Sequence, residues 1–428
     1  MRRFLSTRLR LLLGGRASVP QPQTAASAEP ATAPPPVFAT PLPADRIDRL
    51  AACPACGGAE SSAVLSFNKL ILSPSPPDAA SYRYRYAICH DCGVVSARRR
   101  PAGARYAWML EHFEETLGRV EFGTRRSGKV ALTSYELSEA EKHELVTRAQ
   151  RGVFVSDHEG LGPDDYLPAL MNDRLANSMH VELLGSLLPL QNARVLEVRS
   201  RLGSISAALQ RLYGATAKAM ALFPNQQVLI EEVYRIPASV GIDYDQFEIP
   251  FEGAFELIVA NHMLTHAISP KAMLRTLHDR LAPGGHLYVF NEPDERAFLA
   301  SGKSIFNTMN PFHMQAFDAT ALRCMLEANG FRVSFIKAHG GSLMCLASKG
   351  EFSGQWTRVP ETQRRRRRAR YRRAQDVASL LLPAYARDRV DEPWDALLAR
   401  GVAEGLVDVN RKGTIKVREA RRGESSPR

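Results

Sequence analysis

The sequence lacks any apolar run long enough to cross a bilayer, which excludes a helical membrane span. It is poor in cysteine, with six in 428 residues. Four of the six fall into two pairs of one spacing, Cys53/Cys56 and Cys89/Cys92. That excludes a disulfide framework in favour of metal binding and a reducing compartment. Acid is absent from the opening "MRRFLSTRLRLLLGGRAS", and Arg8 and Arg10 break its apolar stretch, which argues against a secretory signal. A basic leader on a cytoplasmic protein remains, with a presequence for the mitochondrial matrix as the alternative. The next stretch, "PQPQTAASAEPATAPPPVFATPLP", is rich in Pro and Ala, cannot bury a core and reads as disordered. The chain also lacks an internal repeat.

Hydrophobic residues make up 45% and charged residues 24%, the balance of a chain with a sizeable globular core. The length suits two or more domains. Net charge is +11, which favours acidic partners, although much of the excess lies in the tails. The pattern divides the chain into a leader (1–48), a metal-binding module (49–105), a linker or lid (106–165), a main domain (166–350) and a basic extension (351–428).

Each Cys-x-x-Cys pair lets two thiolates of one turn face one ion. Cys53, Cys56, Cys89 and Cys92 together complete a tetrahedral site suited to zinc. Gly57 and Gly93 follow the pairs, where a tight turn favours glycine. Four protein ligands leave no open position, so the expected ion is structural. Cys324 and Cys345 lie on apolar faces and read as core.

From about residue 166 the pattern turns regular. Strand-like "ARVLEV", "AKAMALF", "FELIVAN" and "HLYVFNE" alternate with helix-like "SISAALQRLYG", "NQQVLIEEVYR" and "PKAMLRTLHDRLAPGG". The helix "ATALRCMLEANG" and a strand pair around Gly340-Gly341 close the series. Strands alternating with helices predict an α/β fold, a mostly parallel sheet covered on both faces, with one antiparallel strand from the closing hairpin. The ligand site of such a sheet is the loop after its first strand, here "EVRSRLGS".

Residues 193–350 resemble the class I S-adenosylmethionine-dependent methyltransferases. The resemblance rests on "RVLEVRSRLGS", "FELIVANHMLTH", "LHDRLAPGGHLYVFNE" and "LEANGFRVSFIKAHGGSLMCLASK". Upstream, "CPACGG" and "CHDCGV" resemble the zinc knuckles of sugar C-methyltransferase-like members. The fold implied is a Rossmann-like methyltransferase sheet preceded by a small zinc-ribbon-like module. The implied cofactors are S-adenosylmethionine and structural zinc. The implied activity is direct displacement of the cofactor methyl by a small-molecule acceptor, such as a sugar. Glu197 matches the acid that opens the first motif and Gly203 its last glycine. Asp245 matches the acid that contacts the adenine amino group. Asn261 and His262 match the start of the fourth motif. The chain departs from the pattern at Arg199 and Arg201, which replace glycines, and at Phe223, where an acid binds the ribose hydroxyls. The two arginines either pair with a carboxylate or occlude the pocket, and occlusion is the reading adopted.

Two readings stand side by side: an S-adenosylmethionine-dependent methyltransferase, and a catalytically degenerate descendant that binds a partner or RNA. His262 and His266, four apart, suit a general base, a metal or an ordinary polar loop. His313, in the Phe-flanked "NPFHMQAF", is the leading candidate base, because the resemblance places its loop near the substrate. The run Arg364–Arg368, with Arg370, Arg372 and Arg373 around Tyr371, reads as a nucleic-acid contact or as a solvated basic helix.

Overall fold

The computed structural model describes residues 47–69, 82–101, 177–200, 202–222, 224–300, 313–352, 356–381, 401–409 and 415–417. The leader up to residue 46, the 106–165 linker, Arg201 and Phe223 lie outside the described residues.

The cysteine-bearing module is an antiparallel sheet of β1 (Ile47–Arg49), β2 (Ser61–Lys69), β3 (Tyr82–Cys89) and β4 (Val95–Pro101), in the order β1-β4-β3-β2. "YRYRYAI" forms most of β3, as its alternation predicts. One pair comes from the chain leading into β2 and the other from the turn between β3 and β4.

The main domain is built on seven strands. They are β5 (Arg194–Ser200), β6 (Thr216–Ala221), β7 (Ala238–Val240), β8 (Phe255–Asn261), β9 (Leu281–Pro293), β11 (Phe331–His339) and β12 (Ser342–Lys349). Their order is β11-β12-β9-β8-β5-β6-β7. Strands β5 to β9 pair in parallel, whereas β12 runs antiparallel to both β9 and β11. The single reversed strand is the one the closing hairpin predicts. From β5 the chain winds one way through β6 and β7 and the other way through β8 and β9. The crevice at the carboxyl ends of β5 and β8 is therefore the topological switch point, where open α/β sheets take ligands.

Helices α1 (Ser204–Tyr213), α2 (Pro224–Tyr234), α3 (Pro270–Arg280) and α5 (Ala319–Ala328) connect the strands, with the short α4 (Glu295–Ala300) after β9. On one face of the sheet, Val195, Leu257, Val259, Tyr288 and Phe290 form a core with Ile205 and Leu209 of α1 and with Val181 and Leu184 of the helical stretch 177–187. Burial of such side chains is the main stabilising term of the domain, roughly 1.5–3 kcal/mol for each large one. Helix α3 starts at Ser269, whose side chain accepts from Ala272 N, with Pro270 in the first turn. It ends at Arg280, three residues before Pro283, where the Pro-Gly-Gly stop that the sequence suggests begins. Leu281 and Ala282 are buried and already belong to β9. The glycine there serves a bulge: a Cβ on Gly285 would lie 2.9 Å from Ala282 O and from Phe255 O.

Two elements join the module to the domain. β10 (Gln315–Ala316) leaves the main domain and pairs antiparallel with Ser96 and Val95 of β4. Helix α6 (Glu361–Leu381) carries the arginine run, and its buried residues include Val359 just before it, Arg367 and Tyr371. A small antiparallel pair of β13 (Val407–Val409) and β14 (Ile415–Val417) follows.

Candidate functional site

Three strands end at the crevice with a residue in the left-handed region that is not glycine. Arg199 has φ 57, His262 φ 51 and Asn291 φ 57, on or just after β5, β8 and β9. Such conformations cost of order 1–3 kcal/mol each and cluster at ligand sites. Arg199 thus keeps the backbone turn that a glycine normally makes, although its side chain is long and charged. Gly203 has φ 74 and precedes α1, and a Cβ there would meet Ile230 Cγ1 at 3.0 Å. Its N–H donates to Ser200 Oγ at 2.9 Å.

The Arg199 guanidinium reaches across the switch point and donates to His262 O at 3.0 Å. Asn291 Nδ2 donates to Asn261 Oδ1 at 3.0 Å. Glu197 is buried in β5 and accepts from Ser206 N at 2.9 Å, so it ties the loop to the start of α1. Asp245 lies in the loop 241–250, where its N–H donates to Asp243 Oδ1 at 2.7 Å. At the end of β6, where the resemblance implies a ribose-binding acid, Leu222 N donates to Gln226 Oε1 at 3.2 Å.

Beside the crevice the structure brings His262, His266 and His313 together. One ring nitrogen of each lies within 4.8 Å of those of the others. Ring centroids are 4.7 Å apart for His262/His266, 5.2 Å for His262/His313 and 5.0 Å for His266/His313. Burial, with the nearby Arg199 charge second, holds His262 well below the ordinary imidazole value, so it is neutral.

Backbone contacts lock this cluster. Thr265 O accepts from Met314 N at 2.9 Å and from Gln315 N at 3.1 Å. Buried Glu292 accepts from Leu264 N at 2.7 Å, from Thr265 N at 3.1 Å and from Thr265 Oγ1 at 2.6 Å. Tyr86 of β3 donates its hydroxyl to His313 O at 3.0 Å. His313 is therefore positioned by the cysteine-bearing module, a link that spacing in the sequence does not reveal. His278 and His286 stand apart from the cluster: the first is bonded through Nε2 to Gly350 O at 2.9 Å, and the second lies on β9.

The four cysteines Cys53, Cys56, Cys89 and Cys92 also converge. Sγ atoms are 3.7 Å apart for Cys53/Cys92 and 3.6 Å for Cys56/Cys89. Zinc–sulfur bonds of about 2.3 Å at tetrahedral angles place sulfurs roughly 3.8 Å apart, so the thiols fit a zinc ion. Both knuckles are gripped by the rest of the chain. Pro54 O accepts from Lys271 N at 3.1 Å and Ala55 O from Asn329 Nδ2 at 2.8 Å. Asp91 O accepts from Val359 N at 2.8 Å.

The arginine run supplies the rest of that grip, and here the solvated-helix reading needs correction. Arg364, Arg367 and Tyr371 share one face of α6, at i, i+3 and i+7. Arg364 donates to His90 O, and to Val359 O at 2.8 Å. Arg367 is 1% exposed, donates to Gly93 O and forms a two-pronged pair with Glu295, which is 0% exposed. Asp318, which caps α5, lies 3.9 Å away. Burial opposes the Arg367 charge, but Glu295 and Asp318 outweigh it and hold its affinity for the proton above the ordinary value. Arg365, Arg366, Arg372 and Arg373 face solvent.

Residues 173–334 match the family model of a methyltransferase domain. That segment holds the sheet from β5 to β9 and the switch point described above. The curated relatives include the ubiquinone biosynthesis O-methyltransferase of Xanthomonas euvesicatoria pv. vesicatoria. It is 30% identical over 133 residues, covering 30% of this chain and 52% of the relative. The protein of the same name from Xylella fastidiosa is 29% identical over 133 residues, covering 30% and 51%. The chain spans about half the length of these relatives. A solved O-methyltransferase family protein from Burkholderia thailandensis aligns with a TM-score of 0.36 at 15% identity, over 56% of this chain and 71% of the other.

Proposed function

We propose that the protein transfers a methyl group from S-adenosylmethionine to an oxygen of a small-molecule acceptor. The observation that carries this reading is the strand-end crevice, with left-handed Arg199, His262 and Asn291, set directly against three clustered imidazoles. The relatives are named for O-methyl transfer in ubiquinone biosynthesis, which supports an oxygen acceptor.

The cradle fits the cofactor. The turn at Arg199 and Gly203 is formed, and Glu197 holds the start of α1 against it through Ser206 N. Asn261, His262 and Asp245 are the residues proposed to line the nucleoside side, with Glu197 holding the loop. The guanidinium of Arg199 must leave His262 O as the cofactor enters. When bound, S-adenosylmethionine supplies a methyl carbon that bonds to the acceptor oxygen as its bond to sulfur breaks, leaving a neutral thioether. The imidazole cluster, with His313 as the leading member, takes up the acceptor's hydroxyl proton. Orientation between crevice and cluster supplies most of the remaining rate. The four cysteines are proposed to hold a closed zinc site that sets the module, and through Tyr86 the position of His313. The partner-binding reading has less support, because two arginines of its proposed surface are committed to the interior.

Equilibrium titration of the full chain with S-adenosylmethionine by calorimetry tests the reading. Saturable one-to-one binding, competed by S-adenosylhomocysteine, is expected. No heat and no competition at millimolar ligand would overturn it.

A further inference from the structure

We infer that His262, His266 and His313 form a second metal site, distinct from the four cysteines, that binds a divalent transition ion through three imidazoles and leaves a position open. The fourth ligand would be an oxygen, and in the methyltransferase it would be the acceptor's; that last clause rests on the function proposed above, whereas the site does not.

Four observations carry the inference. The three side chains come from two distant stretches and each offers a nitrogen within 4.8 Å of the others. A tetrahedral ion with bonds of about 2.0–2.1 Å needs nitrogens roughly 3.3 Å apart, so small ring rotations would close the site. Second, a donor stands ready: His262 Nε2 is shut off from solvent without a hydrogen-bond partner among the described residues. A buried ring nitrogen without a partner is uncommon in a finished core, and an ion would satisfy it. Third, the rings stand on fixed backbone. Glu292 clamps the turn between His262 and His266, and Thr265 O ties it to the chain after His313. Fourth, the site lies at the carboxyl ends of the strands, beside the crevice. Three imidazoles with an open fourth position are a donor set of reactive zinc sites, whereas four thiolates are that of structural ones. Imidazole nitrogen suits zinc, cobalt, nickel or iron(II) and disfavours magnesium or calcium.

In the loaded protein the imidazole lone pairs lie on the ion. The acceptor's hydroxyl would then lose its proton to solvent on binding the cation, because the positive charge stabilises the oxygen anion. With the ion bound, the cluster would thus act as one centre, and His313 as a ligand in place of its role as base.

Cobalt substitution of the full chain tests this. Stripped protein is loaded with excess cobalt(II), freed of loose metal, and measured for metal content and absorption. Wild type is expected to hold about two ions per chain, one for each cluster. His266→Gln with His313→Gln should hold about one and keep the sulfur-to-cobalt absorption of the cysteine site. Cys53→Ser with Cys92→Ser should lose that absorption. His262→Asn, which keeps a residue that tolerates the left-handed backbone, should weaken the second ion at least tenfold while leaving the fold intact by circular dichroism. Wild type that saturates at one ion, or a histidine variant that still holds two, would overturn the proposal. S-adenosylmethionine titration of the His266→Gln with His313→Gln variant separates this result from the function above: loss of the second ion should leave cofactor binding in place.

Discussion

Arg199 and Arg367 show two ways for one chain to place a guanidinium where space is short. Arg367 is buried, yet it is met by two carboxylates and a carbonyl. Arg199 stands in the left-handed region at the crevice and reaches a backbone carbonyl across the strand ends. The first arrangement is one that cannot be vacated cheaply, since any loss strands a charge. The second can be vacated by a side-chain rotation. Rigidity is thus concentrated where the module meets the domain, and adaptability where a ligand enters.

The largest expected effect is on the rigid side. If the cysteines hold the proposed zinc, Cys53→Ser with Cys92→Ser should lose it, melt the knuckles and expose Gly93 O, an acceptor of Arg367. Elemental analysis and hydrogen exchange of the 50–100 segment measure both; a module that stays protected from exchange in the variant would break the comparison.

Arg367→Leu comes next. It leaves Glu295 buried and without its partner, at a cost of about 3–5 kcal/mol. Denaturant melts read this directly. Adding Glu295→Leu should recover most of it, because a well-packed apolar pair replaces the ions without loss.

Acid should weaken the same junction. Burial pushes the Asp318 carboxyl up, but the Arg367 charge and the α5 cap outweigh it and hold it below the ordinary value. A carboxyl lowered on folding contributes stability above the unfolded value, near 3.9, that is lost as pH falls through the folded one. Stability measured between about pH 5 and pH 2 should fall less steeply in Asp318→Asn than in wild type.

Effects on the adaptable side are smaller. Arg199→Gly removes a hydrogen bond of about 0.5–1.5 kcal/mol that must break before the cofactor enters. S-adenosylmethionine should then bind about two- to tenfold more tightly. Weaker binding would mean that the guanidinium grips the cofactor carboxylate instead of blocking it. Smallest of all, changing Arg365, Arg366, Arg372 and Arg373 together to Gln should shift stability by less than about 0.5 kcal/mol per site. Should nucleic acid bind this face, the same change would abolish the salt dependence of that binding.

The alternation of strand and helix was legible in the sequence because buried parallel strands and amphipathic helices write strong periods. β8 spans the residues of "FELIVAN", and the single reversed strand follows from the Gly340-Gly341 hairpin. The cysteine cluster was legible too, since each knuckle is a local turn. The Arg367–Glu295–Asp318 junction was not, because its members are far apart in sequence and charge runs ordinarily face water. Only the i, i+3, i+7 placing of Arg364, Arg367 and Tyr371 hinted at a buried face. The histidine cluster was half legible: His262 and His266 are four apart, but His313 joins them only through β10 and Tyr86. The short β7 strand carried no pattern at all.

The pairing of β10 with β4 sets a timetable for synthesis. The outer edge of β4 is shared between β1 and β10, so at Val95 and Ser96 it stays open until Gln315 and Ala316 have left the ribosome. Both knuckles are made early, but the sheet beneath them is completed only after β5 to β9 have been made. Chains grow at roughly 5–20 residues per second, so that edge is bare for tens of seconds. An unpaired edge is an invitation to the wrong strand. Truncated or stalled chains that end before residue 315 should therefore be the species that chaperones hold and proteases clear.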